Sequence, residues 1–166
     1  PRLLSVMTPT ISEGFFADVV VLVEGDLDRA AILGIAHHLD FDLESLGMSV
    51  IPCNGKTNLD RPLVIFRKFG LPTFVIWDGD HGASNAREQE NHALLRLVDE
   101  PVEDWPATRV GKHFACFRRN LEQTLRDDLG NEVYDTLCNE CQTEFGISKR
   151  DDVLKHPVFF EKLLSQ

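Results

Sequence analysis

The 166-residue chain has no apolar run long enough to span a bilayer, and no basic stretch leads into an apolar segment near its start. The expected setting is therefore the cytoplasm, with no membrane partner. Positive charge is also scarce: 17 Lys and Arg stand against 27 Asp and Glu, a formal net charge of -10. A broad basic surface that holds nucleic acid by neutralising phosphates is thereby excluded. A nucleic-acid enzyme whose acids carry divalent cations is not, because bound cations invert the local field. The four cysteines form no secreted disulfide pattern. Cys138 and Cys141 make a lone CxxC with no second pair and no nearby His, which reads as ordinary thiols in preference to zinc ligands. A P-loop is missing too. The GKTN at Gly55 to Asn58 has Val50 where that motif needs its first Gly. There is no internal repeat and no low-complexity tract.

What is present is an alternation of strands and helices. ISEGFFA at 11–17 reads as a short helix or turn, and Val19 to Val23 as a buried strand, since it is uninterruptedly apolar and β-branched. Asp26 is expected to cap a helix from Leu27 to Leu39 with Ala30, Ile32, Leu33, Ala36 and Leu39 on its apolar face. Met48 to Pro52 is a second strand, Leu63 to Phe69 a helix closed by Gly70, and TFVIW at 73–77 a third strand. Residues 84–100 read as a polar helix within an insertion at 84–106, and Lys112 to Phe117 as a fourth strand. Helices follow across RRNLEQTLRDDLG, Glu132 to Phe145 and Asp151 to Leu164. The pattern implies right-handed βαβ units: an α/β, Rossmann-like core with a mainly parallel four-stranded sheet flanked by helices, a helical insertion, and a C-terminal helical subdomain. The expected division is 1–118 for the core and 119–166 for the subdomain.

Acids cluster at the strand ends. In a parallel sheet ligands bind beyond the carboxyl ends of the strands. The first strand ends there in Glu24, with Asp28 one helical turn on, and the third ends in Asp78-Gly79-Asp80. Residues two apart on an extended segment face the same way, so Asp78 and Asp80 can share a target. Singly each has a structural reading: Asp28 is a favourable charge on a first helical turn, and Asp-Gly is a common turn pair. Together on one rim they repel, and burial raises their pKa values unless cations lie between them. Oxygen-only donors of this kind prefer Mg²⁺, Mn²⁺ or Ca²⁺. Lys56 is a candidate phosphate contact, and His81, next to the Asp-x-Asp pair, a candidate for metal or phosphate.

Glu24-Gly25 closing one strand and Asp78-Gly79-Asp80 closing another about fifty residues later resembles the Toprim domain of topoisomerases, primases and certain nucleases. Within that group, VLVEGDLDR, GMSVIPCNGKTN and GLPTFVIWDGD look most like the C-terminal nuclease domain of the OLD (overcoming lysogenisation defect) family, the likeness running from about Phe15 to Asp80. The resemblance implies a metal-dependent DNA endonuclease with two divalent ions, Mg²⁺ or Mn²⁺, with Ca²⁺ bound without supporting turnover. It implies Glu24, Asp28 and Glu122 on one ion, Asp78 and Asp80 on the other, and Lys155 as the late catalytic Lys. Lys56, Arg118 and Arg119 are candidate DNA-backbone contacts. The partners implied are DNA, an N-terminal ABC-type ATPase domain, and a second copy of the protein through that region; a start at Pro1 in place of Met fits an excised fragment. Two other readings stand beside this one. One is a non-catalytic Toprim-like Mg²⁺ module or receiver-like domain, although a receiver wants a single phosphorylatable Asp and the Asp-Gly-Asp pair fits that poorly. The other is a primase or topoisomerase fragment, disfavoured because the only tyrosine, Tyr134, lies in a helical stretch away from the acids.

Overall fold

The computed structural model describes residues 8–165; residues 1–7 and 166, the outer ends of the two expected units, lie outside the described residues. Five strands form one sheet: β1 (Val19–Val23), β2 (Met48–Pro52), β3 (Thr73–Asp78), β4 (Arg109–Val110) and β5 (Phe114–Phe117), in the order β2-β1-β3-β5-β4. β1 pairs in parallel with β2 and β3, and β3 with β5. The expected four strands are thus all parallel partners. A fifth, the two-residue β4, joins antiparallel at the edge through Arg109 opposite Cys116 and Val110 opposite Ala115. So short a strand has no periodicity of its own to read.

β1 is buried on both faces, which is why it is apolar at every position. Val20 and Leu22 join Ile51, Val75, Trp77 and Phe114 on one face, beneath α3 (Asp60–Lys68) and α4 (Glu88–Leu97). Val21 and Val23 join Val50 and Ile76 on the other, beneath Ile32 and Leu33 of α2 (Asp26–His38). A short α1 (Pro9–Glu13) precedes β1, its N-terminus capped by the Thr8 hydroxyl, which accepts from the Ile11 amide at 3.2 Å.

α2 differs from its expected form at both ends. Gly25 is the N-cap residue and Asp26 the first helical residue, because the Asp28 carboxylate turns back to accept from the Gly25 N–H at 2.9 Å. Leu39 follows the last turn and is 56% exposed, so it lies off the apolar face.

The far side of α2 is also covered. α5 (Leu121–Leu129), α6 (Asn131–Phe145), α7 (Arg150–Val153) and α8 (Pro157–Leu164) build a second core in which Ala30 and Ala31 meet Leu121, Leu137, Phe159 and Phe160. The single helix expected over 151–164 is two, since Pro157 cannot donate within a helix and starts α8 afresh. Cys138 and Cys141 are free and fully buried in this cluster. Among the described residues no helix is long and apolar enough to cross a membrane.

Small residues let α2 sit between two layers. At Gly34 an added Cβ would lie 2.2 Å from the Pro157 carbonyl oxygen and 2.8 Å from the Phe160 Cβ. Backbone cannot yield as a flexible side chain can, so Gly34→Ala is expected to cost about 1–3 kcal/mol through overpacking, more than alanine gains in helix propensity. A thermal melt checks this: a drop of several degrees supports the tight α2–α8 contact, and an unchanged or higher Tm refutes it.

Candidate active site

The strand order changes direction at β1: the chain leaves it for β2 on one side and reaches β3 on the other. The crevice at this switch point opens between the carboxyl ends of β1 and β3, where Glu24 and Asp78 stand. A pocket of about 440 Å³ lies there, lined among others by Glu24, Asp28, Asp78, Asn120 and Glu122. The first turn of α2 borders it, so its unpaired backbone N–H groups favour negative charge nearby.

Each acid is held by a specific partner. The Glu24 Oε1 accepts from the Asp78 amide at 2.7 Å, linking the ends of β1 and β3 directly. The Asp78 Oδ1 accepts from the Leu121 N–H at 3.0 Å, at the start of α5. Asp80 has φ of 60°, a left-handed conformation that Asp tolerates better than most residues, and its N–H donates to the Arg119 carbonyl at 2.8 Å. Gly79 between them is required by close approach: a Cβ there would sit 2.6 Å from the Arg118 carbonyl oxygen.

Water is largely withdrawn from three of these carboxyls, and their charges act on each other. Burial pushes Glu24 up to about 7, and the bond from the Asp78 amide and the charge of Lys56 only partly offset it. Burial likewise pushes Asp78 up to about 8, with the charges of Asp28 and Glu24 adding to the effect. Asp28 is buried and raised for the same first reason. Charge on these three carboxyls is therefore held at a cost to the fold.

Lys56 is placed differently from the expected phosphate contact. Its side chain is only 4% exposed, and its ammonium donates to the Asp78 carbonyl at 2.5 Å and to the Asp80 Oδ2 at 3.0 Å. The left-handed Asn54 and the turn at Gly55, whose N–H donates to the Glu24 carbonyl at 2.8 Å, carry the chain under the acids and aim Lys56 inward. It is an internal counter-charge, and the desolvation of its ammonium is compensated by these two bonds.

The remaining candidates lie further out. Glu122 borders the pocket but is bound at 2.9 Å by Arg126, which also grips Asp135 at 2.8 Å and lies over the Tyr134 ring. Lys155 is outside the pocket lining: it pairs with Asp152 at 2.9 Å, and the charge of Asp26, on the first turn of α2, also acts on it. Arg118 and Arg119 are exposed at the end of β5. His81 faces Arg118, whose guanidinium lies 3.4 Å from its Nε2. Tyr134 is 1% exposed beneath Arg126, so its hydroxyl is not offered to a substrate.

Asn91 was not signalled by the sequence, where it is one polar residue of a polar helix. It is fully buried on α4; its Nδ2 donates to the Gly79 carbonyl at 3.0 Å and the Asp104 carbonyl at 2.8 Å, and its Oδ1 accepts from the Trp77 indole at 3.2 Å. One amide therefore ties the loop after α4 to the turn that carries Asp78 and Asp80.

The acids' present partners explain why, among the described residues, no three His, Cys, Asp or Glu side chains already surround a common point. Glu24 and Asp28 are turned onto backbone amides and Asp80 onto Lys56. The donor set nonetheless fits a hard divalent ion: carboxylate oxygens only, poorly hydrated, and destabilised by one another.

Residues 15–80 match the family model "Overcoming lysogenization defect protein-like, TOPRIM domain". An OLD nuclease of Thermus scotoductus is 29% identical over 91 residues; the match covers 49% of this chain and only 17% of that relative. The C-terminal region of the Xanthomonas campestris OLD protein superposes with a TM-score of 0.59 at 17% identity, covering 92% of this chain and 85% of that one. The corresponding region from Burkholderia pseudomallei gives 0.56 at 20% identity, covering 90% and 88%. Residues 15–80 are thus an OLD-like Toprim segment, set in a fold shared with the C-terminal regions of OLD proteins.

Proposed function

We propose that this chain is the nuclease domain of an OLD-type protein, hydrolysing DNA phosphodiester bonds as a metal-dependent endonuclease. The observation that carries the reading is the convergence of Glu24, Asp28 and Asp78 on one pocket at the β1–β3 switch point, all three with raised pKa values. The division into a 1–118 core and a 119–166 helical subdomain, and an ATPase partner domain elsewhere in the full protein, belong to the same proposal.

Glu24, Asp28 and Glu122 would hold one divalent ion, and Asp78 and Asp80 a second. When bound, Mg²⁺ or Mn²⁺ supplies positive charge that favours hydroxide over water as nucleophile and offsets charge on the departing 3′ oxygen. The chain's own groups set the conditions for this. Asp78 is oriented through its amide by Glu24 and through its Oδ1 by Leu121, so its free oxygen is directed without loss of side-chain entropy on loading. Lys56 offsets part of the cluster's charge and holds the Asp80 turn in place. Glu122 must exchange Arg126 for the ion, and Lys155 must leave Asp152 to reach a phosphate, where its charge would stabilise the transition state. With the tyrosine buried, water is the nucleophile of this scheme, which separates it from strand passage.

Plasmid nicking with Mg²⁺ or Mn²⁺ tests the proposal. Asp78→Ala and Asp80→Ala are expected to reduce cleavage by at least about a hundredfold; cleavage at the wild-type rate ends the assignment. Metal that binds while plasmid stays intact with the unmutated chain would favour the non-catalytic module.

Stability gives a second check that needs no turnover. Asp78→Asn keeps an acceptor for the Leu121 amide but removes a desolvated, repelled charge. Its Tm in EDTA is expected to exceed that of the unmutated chain, while the rise in Tm on adding Mg²⁺ shrinks or disappears. A variant that still gains fully from Mg²⁺ contradicts a ligand role for Asp78.

For Lys155→Ala, folding and the Mg²⁺-induced gain in Tm should be unchanged and cleavage should fall steeply. An unaltered rate removes Lys155 from the mechanism.

A further inference from the structure

Beside the acids stands a cluster that the proposed chemistry leaves unused: Trp105, His81, Arg118 and Arg119. A partly exposed aromatic alone needs no explanation. Trp105 is unusual in its anchoring. Its neighbour Asp104 is fixed twice, by the buried Asn91 amide at its carbonyl and by His92 at its carboxylate at 2.7 Å. On the other side Pro106 is buried, and Arg109 binds Glu103 at 2.6 Å to close the loop. A rigidly tied loop therefore holds an indole partly in solvent. Its ring meets that of His81 edge-on, with 5.7 Å between the ring centroids.

The indole is also close to the acids. The same Asn91 Nδ2 that holds the Asp104 carbonyl holds the Gly79 carbonyl. Trp105 and Asp80 are thus each one residue from groups bridged by a single nitrogen. His81 follows Asp80 and donates its N–H to the Arg118 carbonyl at 3.1 Å, and the Arg118 guanidinium lies against the His81 ring. An aromatic face, an imidazole and two exposed arginines gathered around the Asp80–His81 turn match a nucleotide's base and phosphate together.

We infer that Trp105 and His81 form a stacking platform for an unpaired nucleobase flanking the scissile phosphate, with Arg118 and Arg119 on the adjoining phosphates, so that the preferred substrate is single-stranded or frayed DNA. The inference rests on the nuclease reading. Bases inside an intact duplex stack on one another and present no free face to a side chain; bases of a single strand do. The formal net charge of -10 points the same way, since a long duplex footprint is held by many phosphate-neutralising cations.

Tryptophan fluorescence reports directly on this platform. The chain has two tryptophans, and Trp77 is 1% exposed in the core, so a ligand-dependent change that Trp105→Phe abolishes belongs to Trp105. With Ca²⁺ in place of Mg²⁺, a short oligothymidylate is expected to quench the emission and a blunt duplex of equal length to leave it nearly unchanged. By anisotropy of a labelled oligothymidylate, Trp105→Ala should bind about ten- to a hundredfold more weakly, as loss of one base stack predicts. Trp105→Phe keeps an aromatic face, so it should retain most of the affinity while losing the quench, which separates stacking from a loop that has unfolded. Equal quenching by duplex and single strand, or Trp105→Ala binding as tightly as the unmutated chain, overturns the inference. Metal-dependent nicking that persists alongside either result leaves the nuclease reading standing. An oligonucleotide that stacks on a chain unable to cleave with any metal removes the nuclease reading instead.

Discussion

Negative charge concentrated at the ends of β1 and β3 is the constraint around which this molecule is arranged. Glu24 and Asp78 share one crevice with Asp28, and burial together with mutual repulsion holds the first two near 7 and 8. A small domain gains nothing in stability from such an arrangement. Its surroundings limit the cost: two backbone amides, the Gly25 N–H and one buried ammonium, Lys56, take up the lone pairs that water would otherwise satisfy. The site is therefore held in order before any ligand arrives, by bonds weak enough to be exchanged.

The rest of the fold serves to keep those ends still. β1 is apolar on both faces because helices cover both, which fixes the position at which its first acid emerges. α2 is fixed in turn from behind by α8, where Gly34 brings backbone against backbone. The turn after β3 is fixed from two directions. Phe117 of β5 and the two residues that follow it, Arg118 and Arg119, receive the N–H groups of Gly79, His81 and Asp80, and Asn91 grips the Gly79 carbonyl from α4. The loop after α4 is thus joined to this turn, which is how it brings Trp105 to the neighbourhood of Asp80.

The partners of the outer acids and bases suggest how the site is balanced. Glu122 is shared between the pocket and Arg126, whose other contacts reach Asp135 and the Tyr134 ring on α6. Lys155 rests on Asp152 but within the field of Asp26. Both are polar, exchangeable pairs partly open to solvent, of the kind that contributes little to stability and yields readily to a stronger partner.

Much of this was legible in one dimension. The apolar runs at 19–23 and 73–77 declare buried strands because hydrophobic patterning is a local property, and the acids that end them declare the crevice because parallel strands present their carboxyl ends on one side. The tertiary structure alone decided that Lys56 turns inward, that Gly25 and not Asp26 caps α2, that β4 adds an antiparallel edge, and that Asn91 binds Gly79 and Asp104 at once. Each of these depends on groups distant along the chain meeting with hydrogen-bond geometry. A sequence records the period of its neighbours, and it carries no comparable mark for a bond closed across a fold.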